Sequence, residues 1–285
     1  MTDGSSPAEV YRLIRERLRE GGVEDFETEA IIISEELYGR DFRTKLITGG
    51  FGESRDGRIK EALEIVRRRL SSEPLQYIIG SWEFYGMEFS VGRGVLIPRQ
   101  DTETLIDCCI ELLGESKGIE AIDLCSGTGC IPIVLEKRLN LKKIYAAELY
   151  DEAYSYLQKN IRESLSGVVP VKLDVMDEGS PRLFSGLQLI TCNPPYLDGE
   201  DIRGLQAELR HEPRSALYGG EDGLDYYRGI CRLWTASLAP GGWLVFEIGC
   251  SQAEAVAGIM SRAGLSEIGV KKDLSGKDRV VYGKR

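Results

Sequence analysis

The chain has 285 residues, 42% of them hydrophobic and 29% charged, with a net charge of −10 at neutral pH and a pI near 4.9. This balance is ordinary for a soluble protein of one large domain or two, and it argues against a chain that lives on bare nucleic acid through a basic face. No apolar run approaches the ~20 residues of a membrane span, the polar start lacks the charged-then-apolar signal pattern, and one histidine, His211, offers no basis for a zinc site or a histidine-based catalytic pair.

Seven cysteines (Cys108, Cys109, Cys125, Cys130, Cys192, Cys231 and Cys250) form no C-x-x-C pair. An odd count within apolar segments fits reduced thiols in a cytoplasmic protein better than a disulfide framework. Two basic runs, Arg12–Arg19 and Arg67–Arg69, read as solvated helix faces.

Residues 1–73 are expected to form a helical domain. Ser6-Pro7-Ala8-Glu9 has the form of a capping box with proline at the first helical position. Val10, Ile14 and Leu18 then share a face, and Gly21-Gly22 ends the helix. Phe26, Ala30, Ile33 and Leu37 give a second stripe, Gly49, Gly50 and Gly52 mark a loop, and Ile59, Leu63, Val66 and Leu70 give a third stripe. Residues 74–96 read as a linker: a connector from Pro74, then a strand–turn–strand pattern around Gly86. Beyond Leu96-Ile97-Pro98-Arg99, Asp101 or Thr102 can cap a helix running to about Leu113, and Arg99 suits either a structural ion pair or a substrate entrance.

From Ile119 strands and helices alternate, the signature of a parallel sheet within a domain spanning 97–285. Strands are expected at Ala121–Leu124, Ile144–Ala147, Val168–Leu173, Leu187–Cys192 and Trp243–Ile248, with two last strands at Leu265–Val270 and Arg279–Tyr282. A helix is expected over Tyr226–Leu238, broken by Pro240-Gly241-Gly242, and another over Gln252–Ala263.

Chemistry gathers at the strand ends. Cys125-Ser126-Gly127-Thr128-Gly129 is a small-residue turn where backbone can approach a ligand. Glu148 ends the next strand 25 positions after Asp123, where a ribose-binding carboxylate belongs in a nucleoside-binding α/β sheet. Asp174 ends the third strand and can accept an adenine amine, with Val175 packing the ring. The turn lacks the third glycine of a dinucleotide fingerprint and the Gly-Lys-Ser/Thr of a P-loop. The Leu187–Cys192 strand delivers Asn193-Pro194-Pro195-Tyr196. Two prolines fix φ and remove N–H groups, holding the carbonyls of Asn193 and Pro194 in fixed directions. With the Asn193 side-chain oxygen and the Tyr196 ring they form a cradle for a planar group carrying an NH2; the bland alternative is a stiff turn.

Taken together, Asp123-Leu124-Cys125-Ser126-Gly127-Thr128-Gly129 resembles the S-adenosylmethionine turn of class I methyltransferases, with Cys125 in place of the first glycine. The segments Leu96 to Glu103, Asn193 to Tyr196, His211-Glu212-Pro213-Arg214-Ser215-Ala216-Leu217 with Glu221 to Leu224, and Gly276 to Arg279 occur in the order seen in the PrmC/HemK family of release factor glutamine N5-methyltransferases. The resemblance covers nearly the whole chain, with Gln100 where proline is common and Glu148 where aspartate is common. It implies a Rossmann-like α/β fold with a seven-stranded sheet, a small N-terminal helical bundle that binds the release factor, and a linking β-hairpin. It implies S-adenosylmethionine as cofactor, held by Asp123, Cys125, Ser126, Gly127, Thr128, Gly129, Glu148, Asp174, Val175 and Asn193. Catalysis would fall to Asn193, Pro194 and Tyr196, and the acceptor glutamine of a class I peptide chain release factor to Asn193, Pro194, Pro195, Tyr196 and Arg99. No metal, membrane or direct nucleic-acid partner is expected. Two other readings compete: an amino methyltransferase acting on adenine or guanine in nucleic acid, and a non-catalytic S-adenosylmethionine-binding module.

Overall fold

The computed structural model describes residues 4–51 and 58–285, so Gly52 of the expected loop lies outside the described residues. The chain divides into two compact units, Met1–Gly80 with Ala207–His211, and Ser81–Gln206 with Glu212–Arg285.

The first unit is helical: α1 (Pro7–Glu20), α2 (Phe26–Tyr38), α3 (Phe42–Thr48), α4 (Ile59–Leu70) and α5 (Leu75–Ile79). The capping box at the start of α1 is formed, with Glu9 N donating to Ser6 Oγ and Ser6 N donating to the Glu9 carboxylate. Val10, Ile14 and Leu18 pack with Ala30, Ile33 and Leu37 of α2 in one core. Two short helices escaped the sequence: α3, and α5 within the expected connector. Gly49 closes α3 in the left-handed region at φ 71°, the conformation glycine adopts without penalty.

The stripe expected on α4 holds at Ile59 and Val66, which pack on the core, and fails at Leu63 and Leu70. Leu63 and Leu70 are 40% and 42% exposed, and the buried residues are Ala62, Val66 and Arg69. The reason is an ion-pair cluster. Arg69 donates to both oxygens of Glu29 at 2.7 and 3.0 Å and to Glu208 at 2.6 Å. A guanidinium can be buried when its fork is satisfied bidentately. Arg69→Ala would leave Glu29 largely buried beside nothing positive, a loss on the order of 3 kcal/mol. We expect a lower urea midpoint for this unit, with Arg69→Lys restoring only part of it; an unchanged midpoint in Arg69→Ala would contradict the assignment.

The second unit opens with a hairpin, β1 (Ser81–Phe84) and β2 (Met87–Ser90), whose two-residue turn places Tyr85 and Gly86 at φ 53° and 74°, the twist that suits antiparallel neighbours. Then follow α6 (Glu103–Leu113), β3 (Lys117–Leu124), α7 (Cys130–Arg138), β4 (Asn140–Glu148), α8 (Asp151–Glu163), β5 (Val169–Lys172), β6 (Leu187–Cys192), α9 (Gly199–Arg203), α10 (Asp225–Trp234), β7 (Leu238–Glu247), α11 (Ala253–Arg262), β8 (Ser266–Lys272) and β9 (Asp278–Lys284). The sheet has seven strands in the order β5-β4-β3-β6-β7-β9-β8. β3 to β7 run parallel, and β9 is antiparallel to both β7 and β8. Ala121, Leu189 and Val245 face one core and Ile122, Ile190 and Phe246 the other. Alternation with both faces buried makes these strands read as continuous apolar runs.

Two local expectations are corrected. Pro240-Gly241-Gly242 does not separate a helix from a strand but lies inside β7, where the register with β6 shifts between Leu187 and Leu189; a bulge tolerates proline and glycine there. Neither Asp101 nor Thr102 caps α6 through its side chain. Asp101 instead pairs with Arg279 at 3.0 Å, and the Thr102 hydroxyl accepts from Asn193.

The parallel registers place the chemistry. Leu124 lies beside Ala147 and Cys192, and Cys192 lies beside Phe246. The next residue on each strand is Cys125, Glu148, Asn193 or Glu247, so these four leave the sheet along one edge, where open α/β folds bind ligands.

Candidate active site

The turn after β3 holds three consecutive odd-numbered residues in the left-handed region: Cys125 at φ 59°, Gly127 at 53° and Gly129 at 81°. Gly127 and Gly129 tolerate this freely; Cys125 carries strain of roughly 1–2 kcal/mol. Gly129 is also sterically required, because a Cβ there would stand 2.5 Å from Leu157 Cδ1. Ser126 ties the turn to the sheet, its N–H donating to Ala147 O at 3.0 Å and its hydroxyl to Asp123 O at 3.0 Å.

Glu148 joins two strand ends. Its Oε2 accepts from Gly127 N at 2.9 Å, and its Oε1 accepts from Leu149 N and Tyr150 N at 2.8 and 2.9 Å. A carboxylate offers about four acceptor positions, so capacity remains for a ligand hydroxyl. Asp174, just past β5, accepts from Met176 N through Oδ1 at 2.8 Å. The neighbouring Val175 carbonyl accepts from Trp234 Nε1 at 2.8 Å, which anchors this loop on α10.

Asp123 is different. It is fully buried; Oδ1 accepts from the Thr191 hydroxyl at 2.7 Å, while Oδ2 has no partner. Burial pushes its carboxyl from the ordinary 3.8 up to about 7, with the Thr191 hydrogen bond opposing.

The diproline corner is clamped from behind. Gln252 Nε2 donates to Tyr196 O at 3.0 Å and to Gly223 O at 3.3 Å, and Gln252 Oε1 accepts from Gly249 N at 3.0 Å. Leu197 N donates to Leu217 O and Gly219 N to Leu197 O, each at 2.9 Å. A Cβ on Gly219 would lie 2.5 Å from Pro195 O and 2.7 Å from Tyr196 Cα, so the two backbones meet only because that residue is glycine. Asn193 Nδ2 donates to Thr102 Oγ1 at 3.4 Å, and its Oδ1 makes no hydrogen bond among the described residues. Arg99 pairs with Glu212, whose other oxygen accepts from Ile97 N at 3.0 Å.

These elements enclose a cleft of about 890 Å³ including its open mouth. Arg99, Cys125, Ser126, Gly127, Thr128, Glu148, Asp174, Val175, Asn193 and Pro195 line it. Arg99 thus combines the two roles left open for it, ion-pair partner and cleft wall. Asp123, Gly129, Pro194 and Tyr196 are outside the wall: Asp123 lies beneath the turn, Gly129 starts α7, and Tyr196 packs against the core. Thr102, Tyr226 and Gln252 escaped sequence reasoning. Thr102 was legible only as a cap, and Gln252 only as a helix start, because their partners are 91 and 56 residues away.

The Asp123 environment predicts a pH signature. Its folded pKa lies above its unfolded one, so its stabilising contribution is full below about pH 4 and is lost as pH rises through about 7. Asp123→Asn keeps an acceptor for Thr191 without that titration. The stability of the variant relative to the unaltered chain, from chemical denaturation, is expected to increase between about pH 5 and about pH 8; a constant difference would contradict the burial argument.

Comparison with known proteins bears on what this cleft serves. The PrmC N-terminal domain family matches residues 9–80. The release factor glutamine methyltransferase of Geobacter sulfurreducens is 38% identical over 77% of this chain and 76% of its own length. The protein of the same description from Thermodesulfovibrio yellowstonii is 40% identical over 76% and 78%, and that from Clostridium acetobutylicum 31% over 97% and 96%. Among solved structures, the hMettl16 catalytic domain superposes with a TM-score of 0.56 at 15% identity, covering 79% of this chain and 80% of that one. A methyltransferase from Pyrococcus furiosus gives 0.51 at 17% identity, covering 70% and 90%. At such identities the structural likeness establishes the fold, that of class I methyltransferases, and the sequence relatives establish the family. This chain belongs to the release factor glutamine methyltransferases.

Proposed function

We propose that this chain transfers a methyl group from S-adenosylmethionine to the side-chain amide nitrogen of the glutamine in the Gly-Gly-Gln motif of class I peptide chain release factors, in the cytoplasm. The observation that carries the reading is Asn193: it stands at the carboxyl end of a central strand, in the cleft wall, with its side-chain oxygen free to accept.

The cleft fits the cofactor by donor and acceptor chemistry. S-adenosylmethionine brings an ammonium group, ribose hydroxyls and an adenine amine, all donors, and supplies an activated methyl on a sulfonium. The cleft presents carboxylates. Glu148 would take the ribose and Asp174 the adenine amine, with Val175 beside the ring. Cys125, Ser126, Gly127 and Thr128 would let the backbone approach, on the helix start made by Gly129. Asp123 would act from beneath the turn; its unpartnered buried oxygen is an acceptor awaiting a donor.

Asn193 Oδ1 and the Pro194 carbonyl would accept the two N–H bonds of the glutamine amide. An amide nitrogen is a weak nucleophile because its lone pair is delocalised into the carbonyl. Holding both hydrogens fixes the nitrogen's direction, and orientation of this kind supplies up to ~7–11 kcal/mol in ideal cases. The same acceptors stabilise positive charge as it develops on nitrogen. The fixed φ of Pro194 and Pro195 keeps the Pro194 main-chain carbonyl from turning away. Tyr196 would support the corner and Arg99 the entrance. The helical residues 1–73, joined by the 74–96 linker to a catalytic domain of 97–285, would contact the release factor.

Two outcomes follow. Asn193→Ala should lower transfer to a Gly-Gly-Gln peptide by roughly a hundredfold or more while cofactor affinity, measured by calorimetry, stays within about threefold; full activity would rule out the cradle. Deleting residues 1–80 should raise KM for an intact release factor and leave transfer to the short peptide measurable; an unchanged KM would remove the helices from substrate recognition.

A further inference from the structure

We propose that Thr102 is a positioning residue for Asn193. This rests on the reading of Asn193 given above. A carboxamide can flip by 180°, exchanging its oxygen for its NH2, and the proline backbone that follows Asn193 does nothing to select between the two orientations. Only one presents an acceptor to the cleft. In the other, the oxygen is turned inward and two donors face an incoming amide that is itself a donor.

Thr102 selects the useful orientation. Its Oγ1 takes the Nδ2 of Asn193 at 3.4 Å, although 91 residues separate the two in sequence. Thr102 is 2% exposed and stands at the start of α6 without capping it, so its hydroxyl is not committed to the helix. Flipped, the amide would set Oδ1 against Thr102 and turn its NH2 toward the cleft.

The assignment is tested by methyl transfer to a Gly-Gly-Gln peptide with the full-length chain, in parallel with calorimetric affinity for S-adenosylmethionine. Thr102→Val, close in shape and without the hydroxyl, is expected to lower kcat roughly 10–100-fold with cofactor affinity within about twofold. Thr102→Ser, which keeps the hydroxyl, should return kcat to within about threefold of the unaltered chain. Loss of packing alone would weaken the serine variant at least as much as the valine one, so rescue by serine separates positioning from structure. A Thr102→Val variant with kcat within about twofold of the unaltered chain, or a serine variant no better than valine, would overturn the proposal. Should valine prevent folding, Thr102→Ala is read by the same two outcomes. No transfer to the peptide by the unaltered chain would instead sink the proposed function and this inference with it, whereas failure in the Thr102 arm alone leaves the function standing.

Discussion

The parallel pairing of β3 with both β4 and β6 is the constraint on which the site depends. Because Leu124 is level with Ala147 on one side and Cys192 on the other, the glycine turn, Glu148 and Asn193 must leave the sheet at one height. The pairing is maintained by burial of both faces, with Ile122, Ile190 and Phe246 against α10 and α11, and Ala121, Leu189 and Val245 against α6 and α7. A one-residue slip of β6 would exchange its two faces and carry Asn193 away from the cleft. Site geometry and core packing are therefore the same specification.

Within that frame the site is built from rigid backbone more than from reactive side chains. Proline rings fix one side of the corner, Gln252 holds the Tyr196 carbonyl, and Gly219 admits a second backbone that any side chain would exclude. The carboxylates that face the cleft, Glu148 and Asp174, are each satisfied by backbone N–H groups on one side. Such a site suits a reaction whose barrier is one of orientation and charge placement. The sheet also holds two buried carboxylates near these strand ends, Asp123 on β3 and Glu247 on β7.

Much of this was legible in the sequence because it depends on local chemistry. The capping box of α1, the hairpin around Gly86, the turn from Cys125 to Gly129 and the diproline corner are each specified within a few residues. What escaped depends on partners far away. The burial pattern of α4 follows from Arg69 meeting Glu29 and Glu208, which periodicity cannot reveal, so an arginine is buried where leucines were expected. Thr102 carries a good capping side chain, and only the fold shows that Asn193 uses it. Pro240-Gly241-Gly242 is a strong break signal that a β-bulge absorbs. The carboxyl ends of β3 and β6 fall where expected, and those of β4, β5 and β7 within one residue, because the apolar runs stop where polar residues begin.

The central claim is that a stiff corner with free acceptors directs one amide nitrogen toward a sulfonium methyl. Tandem mass spectrometry of a class I release factor incubated with the intact chain and S-adenosylmethionine tests it most directly. A single added methyl, located on the glutamine of the Gly-Gly-Gln motif, is the result this account requires; an unmodified glutamine, or methyl groups found instead on other residues, would contradict it.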